Sequence, residues 1–299
     1  SITFDDAAQR FLAAKQHEFR NPKHAAQWES TLKTYASPII GKLPVDAIEL
    51  PHILEILNPI WTTKTETASR LRGRIEAVLA WATVGGYRNG DNPARWKGHL
   101  DAVLPKPGRV VKVRHHRALP IDDVGAFMAE LRKREGLSAR ALEFLVLTAA
   151  RSGEVRSATW DEIDLEARLW TVPGERMKAG REHRVPLSEA AVSLLKALPR
   201  LADSPYVFPS ARGRTLSDMS LSAVMKRMKV DAVPHGFRST FRDWCAERTN
   251  YPREVAEMAL AHAIDNKVEA AYRRGDLFEK RRRLMADWAK FCSTIQTSG

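Results

Sequence analysis

Three short stretches of the chain combine cations with groups that can move a proton. The first is Thr148-Ala149-Ala150-Arg151-Ser152-Gly153-Glu154-Val155, where an arginine follows directly on an apolar run. A guanidinium held at the end of a buried helix is partly desolvated and suited to grip a phosphate through two N–H groups. Glu154, three residues on, is placed to orient it. The second stretch is His235-Gly236-Phe237-Arg238. Residues three apart on a helix share a face, so an imidazole and a guanidinium would point together, with Arg242 on the same side. Phe237, Phe241, Trp244 and Cys245 form a separate stripe that can bury. Such a pair can neutralise a phosphate and handle a proton near neutral pH. The third stretch is Leu260-Ala261-His262, followed by Ala270-Ala271-Tyr272-Arg273-Arg274. A tyrosine hydroxyl is a weak nucleophile at its ordinary pKa of ~10, and cations or a neighbouring base make it usable. Taken singly, each group has an ordinary alternative: an arginine binding carbonyls, a surface His/Arg pair, a core histidine, a half-buried tyrosine.

The elements around these stretches follow from apolar spacing. The N-terminal part reads as helices, with Phe4, Ala7, Ala8, Phe11 and Leu12 at helical intervals and a break at Asn21-Pro22. A second helical run covers His24 to Tyr35, and a short buried helix carries Ile53, Leu54, Ile56 and Leu57. The clearest helix spans Thr65 to Val84, with Leu71, Ile75, Val78, Leu79 and Ala82 inward and Lys64, Arg70, Arg72 and Arg74 expected on the exposed side. Further on, Asp122 to Arg134 is helical, and Ser138 is expected to cap a very apolar helix running to Ala150. Ile163 to Leu187 reads as a small antiparallel sheet, with Leu169 to Val172 in one strand and His183 to Val185 in another. Lys178 lies in the turn between them, Gly174 to Arg181. From Ser188 helices are expected to continue with few breaks. The last of them carries an apolar stripe through Leu277, Leu284 and Phe291 and through Phe278, Met285 and Cys292. A stripe of that size is costly to leave in water, so either its own domain or a neighbouring protomer must cover it.

At roughly 100–200 residues per domain, 299 residues favour two domains. The expected division is a helical domain over 1–104, a basic Pro-containing linker over 105–116, and a second domain over 117–299. The fold class is mainly α with a small antiparallel β-sheet, that is α+β. No stretch of ~18 uninterrupted apolar residues is present, which excludes a membrane-spanning helix, and Ser1 to Arg10 does not read as a secretory signal. The chain's two cysteines, Cys245 and Cys292, cannot make a disulfide framework, and a reducing cytosol is the simpler setting. Lys and Arg number 48 against 36 Asp and Glu, a formal net charge of +12. A chain this basic usually meets polyanions. No acidic cluster of Mg²⁺ type, no zinc-spaced Cys/His set and no GxxxxGKS loop occurs, so neither metal nor nucleotide cofactor is expected.

The ordered set Arg151, Lys178, His235-x-x-Arg238, His262 and Tyr272 resembles the tyrosine site-specific recombinases, the phage integrase family. The wording looks most like integrases of satellite phages and genomic islands. His235 to Glu247, HGFRSTFRDWCAE, and Ala271 to Arg274 carry the resemblance most specifically. It implies that Arg151 and Arg238 hold the non-bridging oxygens of a scissile DNA phosphate. It further implies that Lys178 protonates the leaving 5′ oxygen, that His235 assists the tyrosine proton or the phosphate, and that His262 bonds the phosphate. Glu154 would buttress the first arginine, and Tyr272 would be the nucleophile. Arg176, Arg181 and Arg184 compete with Lys178 on the same hairpin.

The implied activity is integration or excision of a mobile element through a 3′-phosphotyrosyl intermediate, without a cofactor. The implied partners are double-stranded DNA at attachment sites, clamped by the two domains, a homotetramer on that DNA, and accessory DNA-bending and directionality proteins. The implied setting is the bacterial cytoplasm, on the nucleoid. The chain opens on Ser1, and nothing matches the arm-site-binding domain usual upstream, so a longer natural chain is expected. Two alternatives remain at this stage: a type IB topoisomerase-like relaxing enzyme, and a non-catalytic DNA-binding regulator on the same scaffold.

Overall fold

The computed structural model describes residues 1–19, 21–111, 116–262 and 275–297. Contacts along the chain divide it into two units, Ser1–Arg114 and His115–Gly299. Among the described residues no helix is long and apolar enough to cross a membrane.

The first unit is helical: α1 (Phe4–Lys15), α2 (Pro22–Thr31), α3 (Ser37–Ile40), α4 (Leu50–Trp61), α5 (Thr65–Val84) and α6 (Pro107–Val110). Local signals set the helix starts. Thr3 Oγ1 accepts from the Asp6 N–H at 3.2 Å, and Asn21 precedes Pro22, whose fixed φ suits a first helical position. Phe4, Ile40, Ile53, Leu57, Leu71, Ile75 and Val78 make the core. Trp61 stacks on Trp96 at 5.5 Å and donates to the Pro105 carbonyl at 2.8 Å, so the start of the basic segment is tied to this unit. Arg74, expected outside on α5, is buried. It donates to the Gln27 carbonyl at 2.9 Å and to Thr31, and lies over the Trp28 ring. Arg72 is half-buried and donates to the Ala94 carbonyl at 2.8 Å. Lys64 and Arg70 do face solvent.

The second unit runs α7 (Val124–Arg132), α8 (Leu137–Thr148), α9 (Ser152–Arg156), β1 (Ile163–Asp164), β2 (Leu169–Val172), β3 (His183–Pro186), α10 (Glu189–Ala197), α11 (Ser220–Arg227), α12 (Gly236–Arg248), α13 (Arg253–Ala259) and α14 (Phe278–Cys292). The strands form one antiparallel sheet in the order β1-β2-β3, with Trp170 opposite Val185 and Val172 opposite His183. Helix α8 is buried from Ala141 to Thr148, with Glu143 there paired to Arg132 and Arg140. Phe144 on it meets Trp170 at 5.1 Å and Phe208 at 5.5 Å, joining sheet to helices. Ser138 lies within α8, and the position before the helix is Gly136 at φ 99. Residues 198–219 are largely irregular rather than helical, pinned by short bridges at Thr159–Tyr206 and Pro209–Thr215.

Helix α14 docks on its own unit. Leu284, Met285, Trp288 and Cys292 are buried, and Trp288 Nε1 donates to the Val146 carbonyl of α8 at 2.7 Å. Arg281 on the same helix is also buried and donates to the Arg184 and Asp276 carbonyls. Both cysteines are buried. Desolvation pushes the Cys245 thiol up to about 12 and raises that of Cys292 as well.

Candidate active site

Arg151 is delivered by a sharp end to α8. Ala149 takes a left-handed conformation, φ 52 and ψ 27, which stops the helix and turns the chain. Arg151 is then extended, just before α9. Glu154, buried in the first turn of α9, accepts twice from it: Oε2 from the backbone N–H at 3.3 Å and Oε1 from Nη1 at 2.9 Å. One carboxylate thereby holds both ends of the residue, and three-quarters of the Arg151 side chain is covered.

Arg238 reaches the same spot from α12. It is 5% exposed, and its Nη1 donates to the Ala149 carbonyl at 2.6 Å. Its Nη2 donates to the Leu260 carbonyl and lies 3.4 Å from His262 Nε2. Burial, and then the positive charge of Arg151, push its pKa down to about 10, which still leaves it charged at neutral pH. The last turn of α13 and the left-handed Ala261, φ 52, aim His262 at this guanidinium. On its other edge, His262 Nδ1 lies 2.5 Å from Glu257 Oε2.

His235 stands immediately before α12 rather than within it. Its ring meets His116 edge-on, with centroids 4.5 Å apart. One side stays exposed. Desolvation of the other, then His116, Arg238, Arg151 and Lys178, hold its pKa down at about 4. Arg242 does not join this face. It makes an ion pair with Glu257 at 2.8 Å.

Lys178 is exposed on the turn between β2 and β3, and its charge is felt at His235. Two of the three arginines competing with it have structural partners. Arg176 grips Glu162, with Nε to Oε2 at 3.0 Å, and its Nη1 donates to the Glu154 carbonyl at 3.2 Å. Arg184 pairs with Asp276 at 3.2 Å and lies 4.2 Å over the Phe278 ring. Arg176 thus ties the turn to Glu162 and the Glu154 carbonyl and Arg184 ties β3 to Asp276, while Lys178 and Arg181 are exposed. Tyr272 lies outside the described residues.

Two titratable neighbours of this cluster were not read from the sequence. His183 stands on β3 opposite Val172. Burial, then Arg281, Arg238 and Arg151, lower its pKa to about 3, against a hydrogen bond to the Ala259 backbone that raises it. Its two-residue spacing from the buried Val185 was the available signal, because alternate strand residues share a face. Glu257 is the other, and no spacing rule singles it out. Among the described residues no group of three or more His, Cys, Asp or Glu could hold a metal ion. The cluster instead groups Arg151, Arg238 and His262 about the end of α8 and the end of α13, all of them largely covered. In a partly desolvated setting it suits an oxyanion bearing several negative oxygens.

The chain matches the phage integrase family over residues 117–277 and the phage integrase central domain over residues 4–99. It belongs to the phage integrase family, whose members are tyrosine recombinases that cut and rejoin DNA. Its relatives include prophage integrase IntZ of Escherichia coli (strain K12), 32% identical over 91% of this chain and 67% of that protein. The integrase of Enterobacteria phage P4 is 28% identical over 96% of this chain and 68% of that one. Among solved structures, a lambda integrase tetramer bound to a Holliday junction shares the fold. It has a TM-score of 0.68 and 18% identity, over 89% of this chain and 79% of that one.

Proposed function

We propose that the chain is a site-specific integrase that cuts and rejoins double-stranded DNA at attachment sites to integrate or excise a mobile element. The observation that carries the assignment of roles is the convergence of Arg151, Arg238 and His262 on one spot, each held by its own partner. Phosphoryl transfer needs positive charge around the equatorial oxygens more than covalent help from the protein. In this reading the two guanidinium groups and His262 hold the scissile phosphate. The Tyr272 oxygen attacks phosphorus, forming a 3′-phosphotyrosyl ester. The bond from phosphorus to the 5′ oxygen breaks, Lys178 gives that oxygen a proton, and His235 handles the proton lost by the tyrosine. The ester conserves the energy of the broken phosphodiester, so a 5′ hydroxyl from another strand reverses the step without a cofactor.

The lambda integrase neighbour is a tetramer on a Holliday junction, and by that likeness four copies of this chain act on paired sites. Accessory DNA-bending and directionality proteins complete the assembly, and the bacterial cytoplasm, on the nucleoid, is its setting. A topoisomerase-like or non-catalytic reading is not favoured, because the integrase matches cover residues 4–99 and 117–277.

The test is a nicked suicide substrate carrying the attachment site. The wild-type chain should become covalently joined to the 3′ end. Tyr272→Phe, which loses only a hydroxyl, should bind the same DNA and form no adduct. An adduct with the Phe variant would assign the nucleophile elsewhere.

A further inference from the structure

Glu257 has no part in the mechanism above, yet its geometry acts on a residue that does. A carboxylate offers only lone pairs, so Oε2 at 2.5 Å from His262 Nδ1 requires the proton to sit on Nδ1. A guanidinium offers only protons, so Arg238 Nη2 at 3.4 Å from Nε2 requires a lone pair there. Both edges of the ring therefore demand the same tautomer, with Nδ1–H toward Glu257 and Nε2 toward the arginines. Glu257 is itself anchored. Its Oε1 makes ion pairs with Arg242 Nη2 at 2.8 Å and with Arg253 Nε at 3.8 Å, and its carbonyl accepts the His262 backbone N–H at 3.0 Å. The chain Arg242–Glu257–His262–Arg238 thus runs from the surface to the phosphate spot.

We propose that Glu257 is the positioning residue for His262: it fixes the ring's tautomer and direction so that Nε2 is the nitrogen presented to the scissile phosphate, with Arg242 fixing Glu257 in turn. Nε2 is kept as the proton-accepting nitrogen. The phosphate-facing edge of the ring is thereby set, while Nδ1–H stays on the carboxylate. The imidazole needs no reorganisation at the moment of reaction, which is where a positioned group gains over a free one. The proposal rests on the reading of His262 given under Proposed function.

A double-mutant cycle tests it, because a residue acting through another has no effect once that other is gone. Single-turnover cleavage of the suicide substrate is measured for wild type, Glu257→Gln, His262→Ala and the double variant, beside DNA affinity and melting temperature. Glu257→Gln should slow cleavage by roughly 10²-fold, the scale of a misplaced reacting group. It should leave affinity and melting temperature unchanged, and the double variant should cleave no more slowly than His262→Ala alone. If Glu257→Gln lowers the melting temperature, Arg242→Ala loosens the same carboxylate from its half-exposed side and should show the same dependence on His262. An equal loss from Glu257→Gln in both backgrounds would overturn the positioning role while leaving the reading of His262 intact. Wild-type cleavage by His262→Ala alone would overturn that reading, and this proposal with it.

Discussion

At the scale of single residues, the two site arginines differ in what else they do. Among the described residues Arg151 is held by Glu154, whereas Arg238 satisfies the carbonyls of Ala149 and Leu260. Arg151→Ala should therefore slow cleavage by about 2.7–4 kcal/mol, the usual loss for one donor aimed at developing charge, with little change in melting temperature. Arg238→Ala should slow cleavage similarly and also destabilise the fold, because each orphaned buried carbonyl costs ~1–3 kcal/mol. Thermal melts beside adduct kinetics separate the two effects. His183 gives a prediction in pH. Its folded-state pKa is lowered from 6.5 to about 3, so between those values the unfolded chain binds more protons than the folded one. Stability contributed by the neutral ring is then complete above 6.5 and is lost as pH falls toward 3. Melting temperature should fall on acidification through that window, and His183→Gln should flatten the fall. An unchanged slope in the variant would show that other groups carry the acid sensitivity.

At the scale of elements, the start of α12 depends on a close approach. A Cβ on Gly236 would lie 2.2 Å from the Arg117 carbonyl oxygen and 2.9 Å from Ala118 Cα. Gly236→Ala must push the helix start away from that segment, at a cost of ~1–3 kcal/mol. It should displace His235 and Arg238 together, so both melting temperature and cleavage rate should drop while α5 is untouched. Much of this level was legible in the sequence. The 3.6-residue period over Thr65 to Val84 and the alternation around Trp170 and Val185 mark α5 and the hairpin, because burial itself imposes those periods. What stayed hidden depends on tertiary partners. Ala149 carries no mark of a left-handed cap, and Ser138 looked like a cap that Gly136 made unnecessary. Arg74 counts as exposed until Trp28 and Gln27 fold over it. At the site, Arg151, Glu154 and the position of Arg238 could be read from local spacing. The Glu257–His262 contact, and Arg242 turning away from Arg238, follow from how α12 and α13 pack.

At the scale of the molecule, each unit has its own core, one around Ile53, Leu71 and Val78 and the other around Phe144, Phe241 and Trp288. Two cores predict two calorimetric transitions for the free chain. A substitution confined to one unit, such as Gly236→Ala, should then move only one of them, and a single transition shifting as a whole would show the units to be coupled. The net charge of +12 adds that binding to duplex DNA should weaken linearly in log salt, by about 0.9 per phosphate neutralised.

The two buried cysteines have a practical consequence. Thiolates do the labelling chemistry, and both thiols here are shielded and held in the protonated form. The natural sequence is therefore nearly silent toward maleimide dyes without any cysteine having to be removed. Ala179→Cys, beside Lys178 on the exposed turn, would give a fluorophore one reachable attachment point. The lysine hairpin could then be watched in an otherwise native protein as DNA arrives, strand exchange proceeds and product departs.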